Sequence, residues 1–155
     1  MSTATNVLFL CGENSARSIM AESILERFGA GDFRAFSAGM RSRGEIHPYA
    51  VQTLRDNGLP VTNLNAKMST DFLEEKAPRI DYAITLCGRP DESVLSSFPT
   101  KAKWAFWNIS DPQQERGPEH LRRHAFRRAF RELETRIRLF VLVNSPRRTK
   151  FAQAA

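Results

Sequence analysis

The stretch NVLFLCGENSARSIMAES, Asn6 to Ser23, decides the fold of this chain. Its apolar run, Val7 to Leu10, is bounded by polar residues, the pattern of a strand buried on both faces. Ile19, Met20, Ile24, Leu25 and Phe28 then recur at helical spacing and stop at the glycines of GAGD. Strand, loop and helix thus follow one another without a break. Cys11 falls where the strand pattern stops, and Arg17, six residues on, where the helical pattern starts.

Working outward, FRAFSAG predicts a second short strand, and HPYAVQTLRDNG a second helix with Pro48 in its first turn and Gly58 after its end. MSTDFLEE offers a capping pattern, Ser69 with Glu74 and Glu75 nearby, for a further helix. DYAITLCG, Asp81 to Gly88, predicts the third strand and KWAFWNI the fourth, followed by the loop SDPQQERGPEH. Trp104 and Trp107 alternate with small or apolar residues there and are expected in the core. In the long last helix Leu121, Phe126, Phe130, Leu133, Ile137, Phe140 and Val141 form one apolar stripe. Strands alternating with helices require right-handed crossovers. The expected fold is therefore a three-layer α/β/α sandwich with a four-stranded parallel sheet.

At 155 residues the chain has the size of one domain, taken as 1–155 with a tail fraying after about 146, and it can bury about two thirds of its unfolded surface. A content of 41% hydrophobic and 26% charged residues excludes a disordered or collagen-like chain. No apolar run approaches the ~20 residues of a membrane span. No basic segment precedes the first apolar run, which reads as a strand and not as a signal peptide, so a cytoplasmic location is expected.

The net charge of +6 is uneven: Glu119 to Lys150 holds ten Arg or Lys and three Glu, and the rest thirteen against fourteen. Seven arginines between Arg122 and Arg138 read as the solvated face of the last helix. No aromatic or glycine pattern of an RNA-binding module accompanies them, so a nucleic-acid partner is not expected. His120 and His124 read as a helix surface pair, and neither they nor His47 share a metal spacing with the cysteines. No metal is expected.

Two cysteines, Cys11 and Cys87, are too few for a disulfide framework, and in a reducing compartment such a pair points to redox chemistry or to unrelated thiols. In an open parallel sheet, ligands sit at the carboxyl ends of the strands. Cys11 follows the first strand, Cys87 ends the third, and Asp111 lies in the loop after the fourth. All three fall on one edge.

A loop feeding a helix N-terminus presents successive N–H groups to an anion and lowers the pKa of a cysteine placed there. Arg17 adds a cation with a fork suited to two oxyanion oxygens, Ser18 a hydroxyl for the sulfur, and Asn14 and Ser15 side chains that can pin the loop. The expectation is an oxyanion site with Cys11 as a thiolate nucleophile. Gly12, Glu13, Asn14, Ser15, Ala16 and Ser18 are the candidate substrate-binding residues.

VLFLCGENSARSIMAE, with FSAG, DYAITLCG and WNISDP in the same order, resembles the low-molecular-weight protein tyrosine phosphatase superfamily over most of the chain. The resemblance implies that Cys11 is the nucleophile, Arg17 the oxyanion and transition-state ligand, and Asp111 the general acid, with its phosphatase loop after the first strand. No bound cofactor is implied. Within the superfamily, one branch hydrolyses phosphotyrosine and another reduces arsenate with a second cysteine. Cys87 stands in TLCG, where those reductases carry the resolving thiol.

Three readings follow. The first is arsenate reduction through Cys11, resolved by Cys87 and recharged by thioredoxin, or by glutaredoxin with a small thiol. The second is phosphate-monoester hydrolysis through a phosphocysteine. The third is a degenerate module that binds an oxyanion or a protein without turnover. Gln113 and Gln114 stand where such tyrosine phosphatases place aromatic residues, which disfavours a flat aromatic substrate. Val94 lies where three-cysteine reductases carry a further thiol, and Ala16 where many relatives have a second cysteine in the loop. Glu13 replaces the usual glycine, so its carboxylate is expected to repel an anion unless turned away, and any left-handed backbone is expected to move to Gly12.

Overall fold

The computed structural model describes residues 4–42, 44–98 and 101–146. The chain runs β1 (Thr5–Glu13), α1 (Arg17–Phe28), β2 (Phe33–Ser42), α2 (Pro48–Asp56), β3 (Tyr82–Thr85), α3 (Glu92–Ser97), β4 (Lys103–Phe106) and α4 (Glu119–Asn144). Two 3-10 turns, Ser69–Phe72 and Pro112–Gln114, lie between these elements. The tail after Pro146, expected to fray, lies outside the described residues.

The four strands form one sheet in the order β2-β1-β3-β4, every neighbouring pair parallel. Successive β1 side chains point to opposite faces, and both faces are covered. Val7, Phe9 and Cys11 pack into a core with α1, α2 and α4. Leu8 and Leu10 meet Ala38, Phe72, Phe98 and the partly buried Trp104 on the other side. A strand covered on both sides explains the uninterrupted apolar run at its centre. The result is the expected α/β/α sandwich.

The termini of the elements differ from the sequence reading in instructive ways. β1 does not stop at Leu10: it runs through Cys11 to Glu13, because β2 is longer than FRAFSAG and pairs Cys11 with Gly39 and Glu13 with Ser42. The register shifts between Cys11 and Glu13. No left-handed residue occurs at Gly12 or Glu13; among the described residues positive φ is found at Gly31, Gly44, Gly58 and Gly88. Extended pairing with β2 removes the need for it. MSTDFLEE forms only the 3-10 turn Ser69–Phe72, capped by Asp71, whose carboxylate accepts from the Met68 N–H at 3.0 Å, and not by Ser69 with Glu74 and Glu75. Its single large buried side chain, Phe72, gives a longer helix no apolar stripe to bury. The short α3 was not foreseen.

α4 buries Phe126, Ala129, Phe130, Leu133 and Ile137, each large side chain worth about 1.5–3 kcal/mol of transfer free energy. Leu121, expected in this stripe, is exposed. It lies in the first turn, ahead of the point where the helix meets the core. Several arginines of the outer face are already occupied: Arg122 and Arg123 lie over Tyr49, Arg136 over Trp107 and Arg138 over Phe28. Trp107 is partly buried against the main core. No helix among the described residues is long and apolar enough to cross a membrane.

Candidate active site

The strand order places the ends of β1, β3 and β4 side by side, and their following loops meet. Cys11, Glu13, Ser15, Ala16, Arg17 and Asp111 line one cavity of about 230 Å³, together with Arg41, Gln113 and Gln114. Ala16 precedes α1 and supplies no side-chain cap, so the first N–H groups of that helix are left to an anion or water.

Arg17 is held by the loops it faces. Its Nη1 donates to the Ile109 carbonyl at 2.9 Å and to the Leu86 carbonyl at 3.3 Å. Its Nη2 stands 3.6 Å from Asp111 Oδ2. Asp111 caps the 3-10 turn that follows, its Oδ1 accepting from the Gln113 N–H at 3.0 Å, and Pro112 fixes φ at the next position. The Ser15 hydroxyl donates to Gln113 Oε1 at 3.0 Å. The loop after β1 and the loop after β4 are therefore tied directly to one another.

Asn14 and Ser18 lie behind the cavity and not on its wall, both fully buried. Asn14 Oδ1 accepts from the Lys67 N–H at 2.7 Å, which turns its Nδ2 to donate to Ser18 Oγ at 2.8 Å. Ser18 Oγ in turn lies 2.9 Å from the Cys11 sulfur. Ser15 also anchors α2, its carbonyl accepting from the His47 N–H at 2.9 Å. His47 caps α2 through Nδ1 and packs on Phe126; burial and the nearby Arg122 lower its pKa.

Packing opposes the thiolate expected of Cys11, while Ser18 and Arg17 favour it. Cys11 is 2% exposed, and its thiol donates to the Glu13 carbonyl. Burial raises its pKa above the ordinary thiol value; hydrogen bonds with Ser18 and the charge of Arg17 only partly offset this, and Cys87 adds to the rise. The helix N-terminus was legible in the sequence, but the packing that dries the sulfur was not.

Cys87 is exposed and lies outside this cavity. It borders a second cavity of about 260 Å³ with Gly12, Met40, Arg41, Arg89, Pro90, Asp91 and Val94. Gly12 therefore faces Cys87 and not the Cys11 cavity. Cys87 follows Leu86, whose N–H donates to the Leu10 carbonyl at 2.8 Å, so the two cysteines leave neighbouring strands at adjacent positions. Glu13 is exposed on the rim. Arg41, common to both cavities, was missed in the sequence; its only signal was its position two residues beyond SAG at the carboxyl end of a strand. Among the described residues no three His, Cys, Asp or Glu side chains cluster to hold a metal.

A parallel sheet with a cysteine and an arginine flanking the turn from its inner strand into the first helix defines a class, the phosphatase-like enzymes built on such a loop. Residues 6–149 match the family described as low molecular weight phosphotyrosine protein phosphatase, and the chain is an enzyme belonging to that family. It is 30% identical to the arsenate reductase of Brevibacillus brevis, an alignment spanning 90% of this chain and 96% of the relative. The crystal structure of arsenate reductase from Archaeoglobus fulgidus superposes with a TM-score of 0.67 at 26% identity, covering 87% of this chain and 98% of that one. The tyrosine phosphatase Wzb from Escherichia coli K30, in complex with sulphate, has a TM-score of 0.64 at 18% identity, covers 89% of this chain and 96% of its own, and shares the fold.

Proposed function

We propose that the protein is an arsenate reductase in which Cys11 is the nucleophile and Cys87 the resolving thiol. The observation that carries this reading is the placement of Cys87: an exposed thiol at the end of the strand beside Cys11, in a cavity that shares Arg41 with the Cys11 cavity. A hydrolase has no use for it. The names carried by the relatives support the same choice, and the polar Gln113 and Gln114 on the rim suit a small oxyanion better than an aryl ester.

In the first step Cys11, as thiolate, attacks arsenic, and an arsenate hydroxyl leaves as water with a proton from Asp111. Arg17 balances the charge on the oxyanion throughout. In the second step the Cys87 thiolate attacks the Cys11 sulfur. The S–As bond breaks, its electron pair stays on arsenic, and arsenite departs as the two thiols become a disulfide. Thioredoxin, or glutaredoxin with a small thiol, returns the disulfide to two thiols, a cycle that suits a reducing compartment such as the cytoplasm.

The alternative, hydrolysis of phosphate monoesters through a phosphocysteine, uses Cys11, Arg17 and Asp111 in the same roles and leaves Cys87 idle. The two are separated by measuring arsenate-dependent consumption of reductant beside hydrolysis of para-nitrophenyl phosphate. Cys87→Ser is expected to lose arsenate turnover and to keep any phosphatase activity. Equal arsenate turnover with and without Cys87 would overturn its role, and a Cys11→Ser variant active in both assays would overturn the site. An inert wild type that binds phosphate tightly would mark an oxyanion-binding module instead.

A further inference from the structure

We propose that Arg41 is a substrate-binding residue, the second guanidinium of the oxyanion site, approaching from the side of the sheet opposite Arg17. The proposal rests on reading the Cys11 cavity as the place where the oxyanion binds.

The strand order supplies the geometry. Arg17 reaches the cavity from the β3 and β4 side, bonded to the Leu86 and Ile109 carbonyls. Arg41 stands near the end of β2, on the other flank of β1. Its side chain crosses β1 at Gly12: a Cβ added there would stand 2.2 Å from Nη2 and 2.8 Å from Cζ. Glycine at this position is what allows the crossing, and the guanidinium so placed borders both the Cys11 and the Cys87 cavities.

The charges of the cavity call for this residue. The carboxylates of Glu13 and Asp111 line the wall against the guanidinium groups of Arg17 and Arg41. Arg17 is already paired with Asp111 and bonded to two carbonyls. Among the described residues no ion pair or hydrogen bond occupies the guanidinium of Arg41. Without it, and with Asp111 holding the proton it later gives up, Glu13 and Arg17 would cancel and leave no net charge to attract a dianion. With it, Glu13 is offset, and a planar fork is available to two oxygens of one tetrahedral anion. Arsenate and phosphate share that chemistry.

The test is calorimetric titration of inorganic phosphate, and separately of arsenate, into reduced wild type, Arg41→Ala and Arg41→Lys. Loss of a charge-assisted hydrogen bond predicts an affinity weaker by about tenfold or more in Arg41→Ala. Arg41→Lys should recover part of it, since an ammonium keeps the charge but not the fork. In arsenate turnover, KM should rise with kcat nearly unchanged, and the melting temperature should stay at the wild-type value. Equal phosphate affinity in wild type and Arg41→Ala would overturn the proposal while leaving the site intact. A wild type that binds neither anion would overturn the oxyanion site and Arg41 with it. A wild type that binds phosphate but does not turn over arsenate would overturn the reductase reading alone, and the phosphate titration would still decide for or against Arg41.

Discussion

The Ser18 hydroxyl lies 2.9 Å from the Cys11 sulfur, close enough for either to donate to the other. Ser18 Oγ also accepts from Asn14 Nδ2, and with the thiol hydrogen given to the Glu13 carbonyl the serine hydrogen can turn to the sulfur. The relay begins at the Lys67 N–H, 53 residues from the asparagine that accepts it. It keeps a buried thiol hydrogen-bonded in either protonation state. Donation from Ser18 favours the thiolate, as does the charge of Arg17.

Removing that donation should therefore raise the Cys11 pKa further above the ordinary value, since burial already raises it and the Ser18 side chain opposes the rise. Ser18→Ala is expected to react more slowly at neutral pH, by about tenfold for each pKa unit, and to approach the wild-type rate as pH is raised. The wild-type rate should itself climb with pH through neutrality. A rate for Ser18→Ala that stays low at alkaline pH would mean that the serine acts on something other than thiol ionisation. The variant also leaves Asn14 Nδ2 buried without its acceptor, at about 1–3 kcal/mol of stability by urea denaturation.

Asp111→Asn should keep the local fold, because an amide oxygen can still accept from the Gln113 N–H that Oδ1 now caps. It cannot supply a proton. We expect kcat to fall by about a hundredfold to ten-thousandfold, the usual worth of a placed general acid. With para-nitrophenyl phosphate the loss should be smaller than with an alkyl phosphate, because the nitrophenolate leaves without help. An equal loss for both esters would assign Asp111 to holding Arg17, from which its Oδ2 lies 3.6 Å, and not to proton transfer.

What the sequence showed of this site was what lies close together along the chain. Cys11 and Arg17 are separated by one turn between a strand and a helix, and apolar periodicity alone places them. The sheet was legible for the same reason: each strand is a short apolar run with a helix or loop behind it. Arg41 was not legible, because its contact with Gly12 exists only after β2 has paired beside β1. Nor was the burial of Cys11, which depends on a core assembled from β1, α1, α2, β3 and α4. The 3-10 turn at Ser69–Phe72 was misread because the polar pattern SxxxxE ignores the apolar side, where only Phe72 is buried among its large side chains.

One half-buried carboxylate behind the site gives stability its own pH dependence. Glu22 on α1 accepts a hydrogen bond from the Ser37 hydroxyl of β2, and its Oε2 lies 3.3 Å from Lys67 Nζ. Burial raises its pKa; Lys67 and Ser37 lower it without cancelling the effect, and Glu26 adds to the rise. The folded protein thus holds this proton to higher pH than the unfolded chain. In the window above the ordinary carboxylate value the native state binds more protons, so unfolding free energy falls as pH rises. The contribution is present in full below that window and lost above it. Glu22→Gln, which cannot ionise but can still accept from Ser37 and Lys67, should remove this slope. Urea denaturation of both proteins between pH 5 and 7 should show wild type losing stability relative to Glu22→Gln as pH increases. A difference that stays constant across that range would mean that Glu22 ionises as readily in the fold as outside it, and that Lys67, whose backbone N–H starts the relay to Cys11, holds it fully charged.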